Sequence, residues 1–242
     1  MQCLRLRLAV ARAAVAVLLA VAAGCSDAVL DGTVAFERRF SFVEGDPGGW
    51  IAGFAGYPRD ALEAYYEPVF EVRSLPHEVG AGQGLYVEGT NRSDGLFMFL
   101  KREIGELEPA TTYDVVVRAA LASDVASGCA GGDRAPAEGV TLKVGATTDE
   151  PKVEVRGNVH ALTADVGRGI EGGRDAVVAG DVANGGPCAP GYRLIERDNR
   201  GRPVAVTSDA AGRIWVFVGA DLGFEGTAAL YFLSIEVSVQ KR

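Results

Sequence analysis

The sequence predicts an all-β protein, and the preferred arrangement is a two-sheet antiparallel β-sandwich of jelly-roll type. About ten short stretches of the chain alternate apolar and polar residues, which is the two-residue period of a half-buried strand. Turn residues separate most of these stretches, and neither a long amphipathic helix nor a βαβ succession interrupts them. Together these observations favour a sandwich and exclude the α/β-hydrolase and Rossmann folds.

The clearest strand signals lie between Gly84 and Leu121, which contains three successive predicted strands. Leu85–Thr90, Leu96–Ile104 and Thr111–Leu121 are separated by two polar breaks. The first break ends in Asp-Gly, where glycine can supply the positive φ of a tight hairpin. Apolar residues alternate along the third strand, which predicts one buried face.

The other predicted strands cover the rest of the chain. Pro68 places one of them at a sheet edge, a short helix is predicted over 58–64, and 147–173 gives little periodic signal. Both faces of Ile214–Val218 are apolar, which favours a central buried strand over an aromatic binding face. In chain order, these strands are Val34–Val43, Tyr66–Val72, Val140–Val144, Val153–Val155, Asp175–Val182, Tyr192–Glu196, Pro203–Thr207, Arg213–Val218 and Tyr231–Gln240.

The N-terminal region has the pattern of an export signal. Arginines precede the apolar run Ala13–Ala23, which is too short to span a bilayer and is typical of a signal-peptide core. The run ends in small residues before Cys25, which resembles the lipobox of bacterial lipoproteins, where the cysteine is acylated. We therefore expect a signal peptide at 1–24, a short tether at 25–33 and a single domain at 34–242. Such a protein would be membrane-anchored outside the cytoplasm, on the outer membrane if the host has one, and ordinary cleavage after Ala22 would instead give a secreted soluble protein.

The net charge of the chain limits the classes of partner that it can bind. The formal net charge is −8, and removal of residues 1–24 takes away three arginines and no acids, so it becomes −11. Such a balance argues against nucleic acid, which needs clustered Lys and Arg. It also argues against electrostatic docking on an anionic membrane, so the acyl chains would provide the anchor.

Two further cysteines are predicted to form a disulfide. Cys129 and Cys188 lie in Gly- and Pro-rich stretches, and paired cysteines in an exported chain are more often bridged than free. The bridge would stabilise the fold by roughly 2–4 kcal/mol. A metal site is the weaker alternative, because the sequence has no C-x-x-C and His77 and His160 are isolated.

Three stretches together resemble jelly-roll carbohydrate-binding modules. These are FSFVEGDPGGW from Phe40 to Trp50, the L-x-P-x-T-x-Y-x-V pattern from Leu107 to Val115 (also found in fibronectin type III domains), and Leu230–Val239. The mature chain is also similar to uncharacterised bacterial exported proteins and lipoproteins. The resemblance implies a galactose-binding-like sandwich in which a structural calcium is common.

The calcium prediction falls on a loop before the closing strand. The modules often place an aspartate in that strand, whereas this chain has no acid there until Glu236. Asp221 and Glu225 are the replacement candidates, since calcium prefers oxygen ligands, and solvated loop acids are the alternative. No other cofactor is expected.

Candidate ligand contacts are aromatic and polar. Sugar rings stack on Tyr and Trp, and Tyr57, Tyr65 and Tyr66 lie in a Gly- and Pro-broken connection. Trp50 and Phe54, in the same connection, are assigned to the core. The loop residues Asn91, Arg92 and Asp94 form a second candidate set, for which a simple turn is the preferred interpretation.

The functional prediction is an extracytoplasmic binding protein for a glycan or cell-envelope component. No catalytic residue is assigned, because G-x-S-x-G, H-E-x-x-H and P-loop patterns are absent. A structural or assembly lipoprotein that binds a protein partner is one alternative. A glycoside hydrolase or lyase on the same fold is another, since two of the 32 acids could meet in a cleft.

Overall fold

The structure is a computed structural model that describes residues 33–93, 95–127, 139–186, 191–223 and 225–242. These residues form β-strands, most of which follow the alternating pattern of the sequence, and one 3₁₀ helix. The strands are β1 (Val34–Ser41), β2 (Ile51–Ala55), β3 (Val69–Ser74), β4 (Gln83–Asn91), β5 (Leu96–Ile104), β6 (Thr112–Ser123), β7 (Val140–Thr147), β8 (Val153–Arg156), β9 (Val159–Leu162), β10 (Ala176–Asp181), β11 (Arg193–Asp198), β12 (Val204–Thr207), β13 (Ile214–Leu222) and β14 (Gly226–Lys241). The helix spans Glu63–Tyr66.

Most of the strands form two antiparallel sheets with jelly-roll connections, and β8 and β9 pair with each other in a separate two-stranded hairpin. Sheet 1 has the order β11-β6-β14-β4-β3, with β12 also on β6 and β1 also on β14; sheet 2 has the order β10-β7-β13-β5-β2. The chain changes sheet at each step from β4 to β7, and again from β10 through β11 to β13 and β14. This alternation gives the paired four-strand sets β4-β14-β6-β11 and β5-β13-β7-β10, which confirms the predicted two-sheet sandwich.

The predicted tight hairpin at residues 91–95 is wrong. The strands on either side of it begin and end close to the predicted residues, but β4 lies in sheet 1 and β5 in sheet 2. Gly95 does not have the positive φ that a hairpin turn would need. Alternation shows where each strand lies and which face is buried, but it does not show which strands pair. β4 and β5 contribute their apolar faces to the core from opposite sheets.

The main core fills the space between the sheets, and a second apolar layer lies on the outer face of sheet 2. Leu100, Val144 and Val218 are among the fully buried residues of the main core. On the other face of sheet 2, Phe97, Phe99 and Phe217 pack against the segment 148–175, called here the cover segment, through residues such as Leu162. The central strand β13 is therefore buried on both faces, as the sequence indicates.

Two lysines attach the cover segment to sheet 2. Lys101 Nζ lies 2.8 Å from a Glu150 carboxylate oxygen and donates to the Pro151 carbonyl at 2.7 Å. Lys143 Nζ likewise donates to the Val166 carbonyl at 2.9 Å. Both ammonium groups are thus fixed by the cover segment, as buried charges must be.

Three local predictions differ from the structure. The helix predicted over 58–64 is a single 3₁₀ turn at Glu63–Tyr66, and the strand predicted from Tyr66 begins at Val69, because Pro68 follows a left-handed Glu67. The edge position of that strand is as predicted. The edge strand β2 and the short β9 were not predicted, since glycine dilutes the signal in the first and the second has only four residues. No helix among the described residues is long and apolar enough to cross a membrane.

Candidate functional site

A shallow depression of about 580 Å³ lies on the outer face of sheet 1, where the 3₁₀ turn approaches β4 and β14. Its walls come from three separate parts of the chain and combine polar with apolar side chains. The lining residues are Glu63, Ala64, Glu67, Pro68, Val69, Glu88, Thr90 and Thr227. The depression is open to solvent and presents hydroxyl and carboxylate groups.

Glu67 organises one side of the depression. It ends the 3₁₀ turn in the left-handed region, with φ of 50°, which is uncommon for a residue with a side chain. Its Oε2 accepts hydrogen bonds from Thr90 Oγ1 at 2.9 Å and from an Arg92 Nη at 2.9 Å. These two hydrogen bonds hold the pKa of the Glu67 carboxyl below its ordinary value. The carboxylate is therefore charged at neutral pH and its position is fixed.

Arg92 connects Glu67 to an exposed aromatic ring. Its Nε donates to the Tyr65 carbonyl at 2.8 Å, and its Cζ lies 4.9 Å from the centroid of the Tyr65 ring. The Tyr65 side chain is 59% exposed. Tyr65 and Arg92, two of the residues predicted from the sequence, are thus brought together 27 positions apart.

The other two tyrosines of the predicted set point into the core. Tyr57 and Tyr66 are 4% and 2% exposed, and their ring centroids lie 5.3 Å apart. Tyr57 also stacks on His160 at 4.5 Å. The three candidate tyrosines therefore do not share one exposed face, because among them only Tyr65 offers a ring to solvent. Trp50 is buried and Phe54 packs against the core, as expected.

Asn91 is buried beside the depression, and its side chain hydrogen-bonds to the backbone of neighbouring segments. Its Nδ2 donates to the Leu222 carbonyl at 3.0 Å, and its Oδ1 accepts the Ser93 backbone N–H at 3.1 Å. The second contact is the side-chain turn that the sequence favours at this loop. Asp94 lies outside the described residues.

Asp221, one of the two predicted calcium ligands, forms an ion pair with a lysine. Its Oδ2 lies 2.7 Å from Lys143 Nζ, and Glu225 is exposed. Within the described ranges, no group of three or more His, Cys, Asp or Glu side chains is placed to hold a metal ion. A calcium ion at Asp221 would compete with the Lys143 ammonium, and calcium binding stays a prediction. Cys25, Cys129 and Cys188 lie outside the described residues, so lipidation and the disulfide also stay predictions.

A second cleft, of about 550 Å³, opens between the cover segment and the edge of sheet 2. Phe97, Leu162 and Val166 contribute apolar surface, and Arg156 and Arg168 are exposed beside it. No sequence pattern pointed to this cleft, because its walls combine β5 with the weakly periodic cover segment. The polar residues of the first depression were also missed, because they come from separate parts of the chain and no local pattern joins them; they are Glu63, Glu67, Glu88, Thr90 and Thr227.

Comparisons with known proteins give no family. No family model and no curated protein matches the chain. Similar solved structures include a carbohydrate-binding module of the β-sandwich superfamily (14% identity, TM-score 0.37, covering 80% of this chain and 58% of that one). TmCBM61 in complex with β-1,4-galactotriose is another (14% identity, TM-score 0.35, 81% and 92% covered). A third is the K1 cleaved adhesin domain of Lys-gingipain from Porphyromonas gingivalis W83 (14% identity, TM-score 0.37, 86% and 99% covered).

These neighbours agree with the predicted likeness to carbohydrate-binding modules, at low identity and low TM-score. The chain spans little more than half the length of the first of them. Likeness at this level says nothing about a ligand of this chain.

Proposed function

We propose that the protein is an extracytoplasmic binding protein, and that the depression beside Tyr65 binds a glycan. The observation that supports this most directly is the Tyr65–Arg92–Glu67 arrangement, in which Glu67 lines the depression and Arg92 links it to Tyr65. It joins an exposed aromatic ring to a fixed guanidinium–carboxylate pair.

The chemistry of these groups suits a sugar. A pyranose presents C–H groups that pack on an aromatic ring, while its hydroxyls need donors and acceptors at its edge. Arg92 offers hydrogen-bond donors and Glu67 offers acceptors, and the two form one ion pair with an Nη–Oε2 distance of 2.9 Å. Thr90 and Thr227, whose hydroxyls lie 2.8 Å apart, add acceptor lone pairs, since the single Thr90 proton is donated to Glu67.

The arrangement is also held in place before any ligand arrives. Arg92 is fixed by the Tyr65 carbonyl and by Glu67, and Glu67 is fixed in turn by Thr90. Groups that are already ordered lose less entropy on binding. An open depression suits one stretch of a longer chain of sugars better than a small molecule that must be enclosed.

Binding fits this site better than glycoside cleavage. A glycosidase needs a carboxylic acid whose pKa is raised so that it can protonate the leaving group. Glu67 has the opposite property, since its hydrogen bonds from Thr90 and Arg92 lower its pKa.

The test is a glycan array with the purified protein, followed by calorimetry with any glycan that binds. Tyr65→Ala should weaken binding by about tenfold or more, the usual consequence of losing an aromatic anchor. Leu194→Ala is the matched control. Leu194 is, like Tyr65, a large exposed side chain, but it lies on β11 of sheet 1 and does not line the depression. Absence of binding to any glycan, or equal loss in both variants, would contradict the proposal.

The membrane anchor is a separate part of the proposal. It is supported by the apolar run that ends in small residues before Cys25. Cys25→Ser should move the protein from the membrane fraction to the soluble extracytoplasmic fraction. A variant that stays with the membrane would contradict lipid anchoring, and a wild-type protein that is already soluble would support ordinary secretion.

A further inference from the structure

Two arginines from different sheets each pack against the same phenylalanine ring. Phe40 of β1 is 5% exposed, and its ring centroid lies 5.0 Å from Arg38 Cζ and 4.4 Å from Arg102 Cζ. Arg38 belongs to sheet 1 and Arg102 to sheet 2. Arg38 and Arg102, called here the arginine pair, therefore lie where the two sheets approach each other beside the loop that precedes β2.

Neither arginine has a carboxylate partner at ion-pair distance in the part of the chain that the structure describes. Nine other arginines, by contrast, do form such pairs there; they are Arg73, Arg92, Arg118, Arg156, Arg174, Arg197, Arg200, Arg213 and Arg242. Asp46 is the acid whose charge acts on Arg102, but its Oδ1 accepts the Gly48 backbone N–H at 2.8 Å. Burial, and then the Arg38 charge, lower the pKa of Arg102. The two guanidinium groups thus repel each other, and Asp46 offsets part of their positive charge without an ion pair to either of them.

Two buried N–H donors at the same place have no acceptor among the described residues. They are Arg102 Nε and Trp50 Nε1. The register places Trp50 next to Arg102, because Ile51 pairs with Lys101, and the Trp50 ring meets Phe40 edge-on at 5.7 Å. A buried donor without an acceptor is destabilising, and more so when it is charged.

The loop before β2 is built to approach the guanidinium. Gly49 has φ of 76°, and a Cβ atom at this position would lie 2.4 Å from an Arg102 Nη. The positive φ favours glycine here, and the missing side chain lets the loop backbone approach the Arg102 guanidinium closely.

We propose that the arginine pair, together with the Trp50 loop, binds an oxyanion, meaning a phosphate, sulfate or carboxylate group of a ligand. Such a group supplies the negative charge that two neighbouring guanidinium groups lack, and it accepts their forked N–H donors. The net charge of −8 repels anions in general, so the attraction must be local. The site shares no residue with the depression beside Tyr65, and the two proposals can fail separately.

The test uses the full chain carrying Trp215→Phe, which leaves Trp50 as the single tryptophan reporter. Sodium phosphate, sodium sulfate and galacturonate are titrated against sodium chloride of the same ionic strength, with fluorescence and calorimetry as readouts. We expect saturable binding of at least one oxyanion, accompanied by a change in Trp50 emission. The anion that binds most tightly shows whether the group is phosphate, sulfate or a sugar carboxylate. Neutral galactose should neither bind at this site nor change the Trp50 emission.

Variants then assign the binding to the arginine pair. Arg38→Met should weaken it about tenfold, which corresponds to about 1.4 kcal/mol. Arg38 is exposed, so this change should leave the fold intact. Arg168→Met is the control, since Arg168 is also exposed and also lacks an ion pair among the described residues. Oxyanion effects no larger than those of chloride, or equal losses in both variants, would overturn the proposal.

Discussion

The Lys143 ammonium forms an ion pair with the Asp221 carboxylate at 2.7 Å, and the Lys143 side chain is completely buried. The two residues lie on the adjacent strands β7 and β13 of sheet 2, and the cover segment closes over them with the Val166 carbonyl. A buried pair of this kind is costly to form but far more costly to break on one side, because the remaining charge stays in the interior. It therefore fixes where the cover segment lies.

Replacement of Lys143 should be strongly destabilising. We expect Lys143→Met to lower the free energy of unfolding by about 3–5 kcal/mol, since Asp221 is left uncompensated. The double variant Lys143→Met/Asp221→Leu should recover much of that loss, because neither charge remains to be buried. Denaturant unfolding measures both. Lys152→Met, which removes an exposed partner of Glu150 at 3.4 Å, is the control and should have little effect; a similar loss in the control would contradict this role for Lys143.

The aromatic layer of sheet 2 depends on glycines beneath it. Gly145 pairs directly with Phe217, and a Cβ atom at Gly145 would lie 2.0 Å from Phe217 Cζ. Gly145→Ala should therefore lower the free energy of unfolding by about 1–3 kcal/mol through overpacking. Gly201→Ala adds a Cβ with no atom within 4 Å and should be nearly neutral. Equal midpoints of thermal unfolding in the two variants would show that the Phe217 ring moves aside without cost.

Strand positions could be read from the sequence because alternation is a local signal. Leu96–Ile104 begins and ends as predicted, and the apolar pattern of both faces of β13 correctly indicated burial. The pairing of strands is not local, so Asp94-Gly95 could not show that β4 and β5 enter different sheets. Only the complete jelly-roll topology settles that.

The candidate site was only partly predictable for a related reason. Its groups come from the 3₁₀ turn, from β4 and from β14, and only Tyr65 and Arg92 had a signal of their own. Consecutive residues of a 3₁₀ turn are rotated by about 120° about its axis. Tyr65 and Tyr66 therefore point in different directions, although their sequence environments are nearly the same.

That difference between neighbours predicts different effects of the same substitution. Tyr66 is 2% exposed and touches both Tyr57 and Tyr65, so Tyr66→Ala should cost about 3–5 kcal/mol of stability. Tyr65→Ala should change stability by about 0.5 kcal/mol or less, because the ring is largely in solvent. Thermal unfolding of the two variants side by side measures this contrast, and a large loss for Tyr65→Ala would mean that its ring supports the turn instead of facing a ligand.

The cover segment should loosen in acid. Glu150 accepts a hydrogen bond from Lys101 at 2.8 Å, and this bond lowers the pKa of Glu150 below its ordinary value of 4.5. A carboxyl whose pKa is depressed in the folded protein contributes stability that is present above its unfolded-state pKa. That contribution is lost as the pH falls through the folded-state pKa. The protection factors of the β8–β9 amides, which are exchange rates corrected for intrinsic exchange, should therefore fall more steeply below about pH 4.5 in the wild type than in Glu150→Gln, which has no carboxyl to protonate and starts from a looser cover. Glu37→Gln is the matched control, because Glu37 is exposed and has no ion pair within the described residues, and it should follow the wild-type profile. If Glu150→Gln also follows that profile, Lys101 is held by the Pro151 carbonyl alone, and the acid sensitivity of the cover segment has another source.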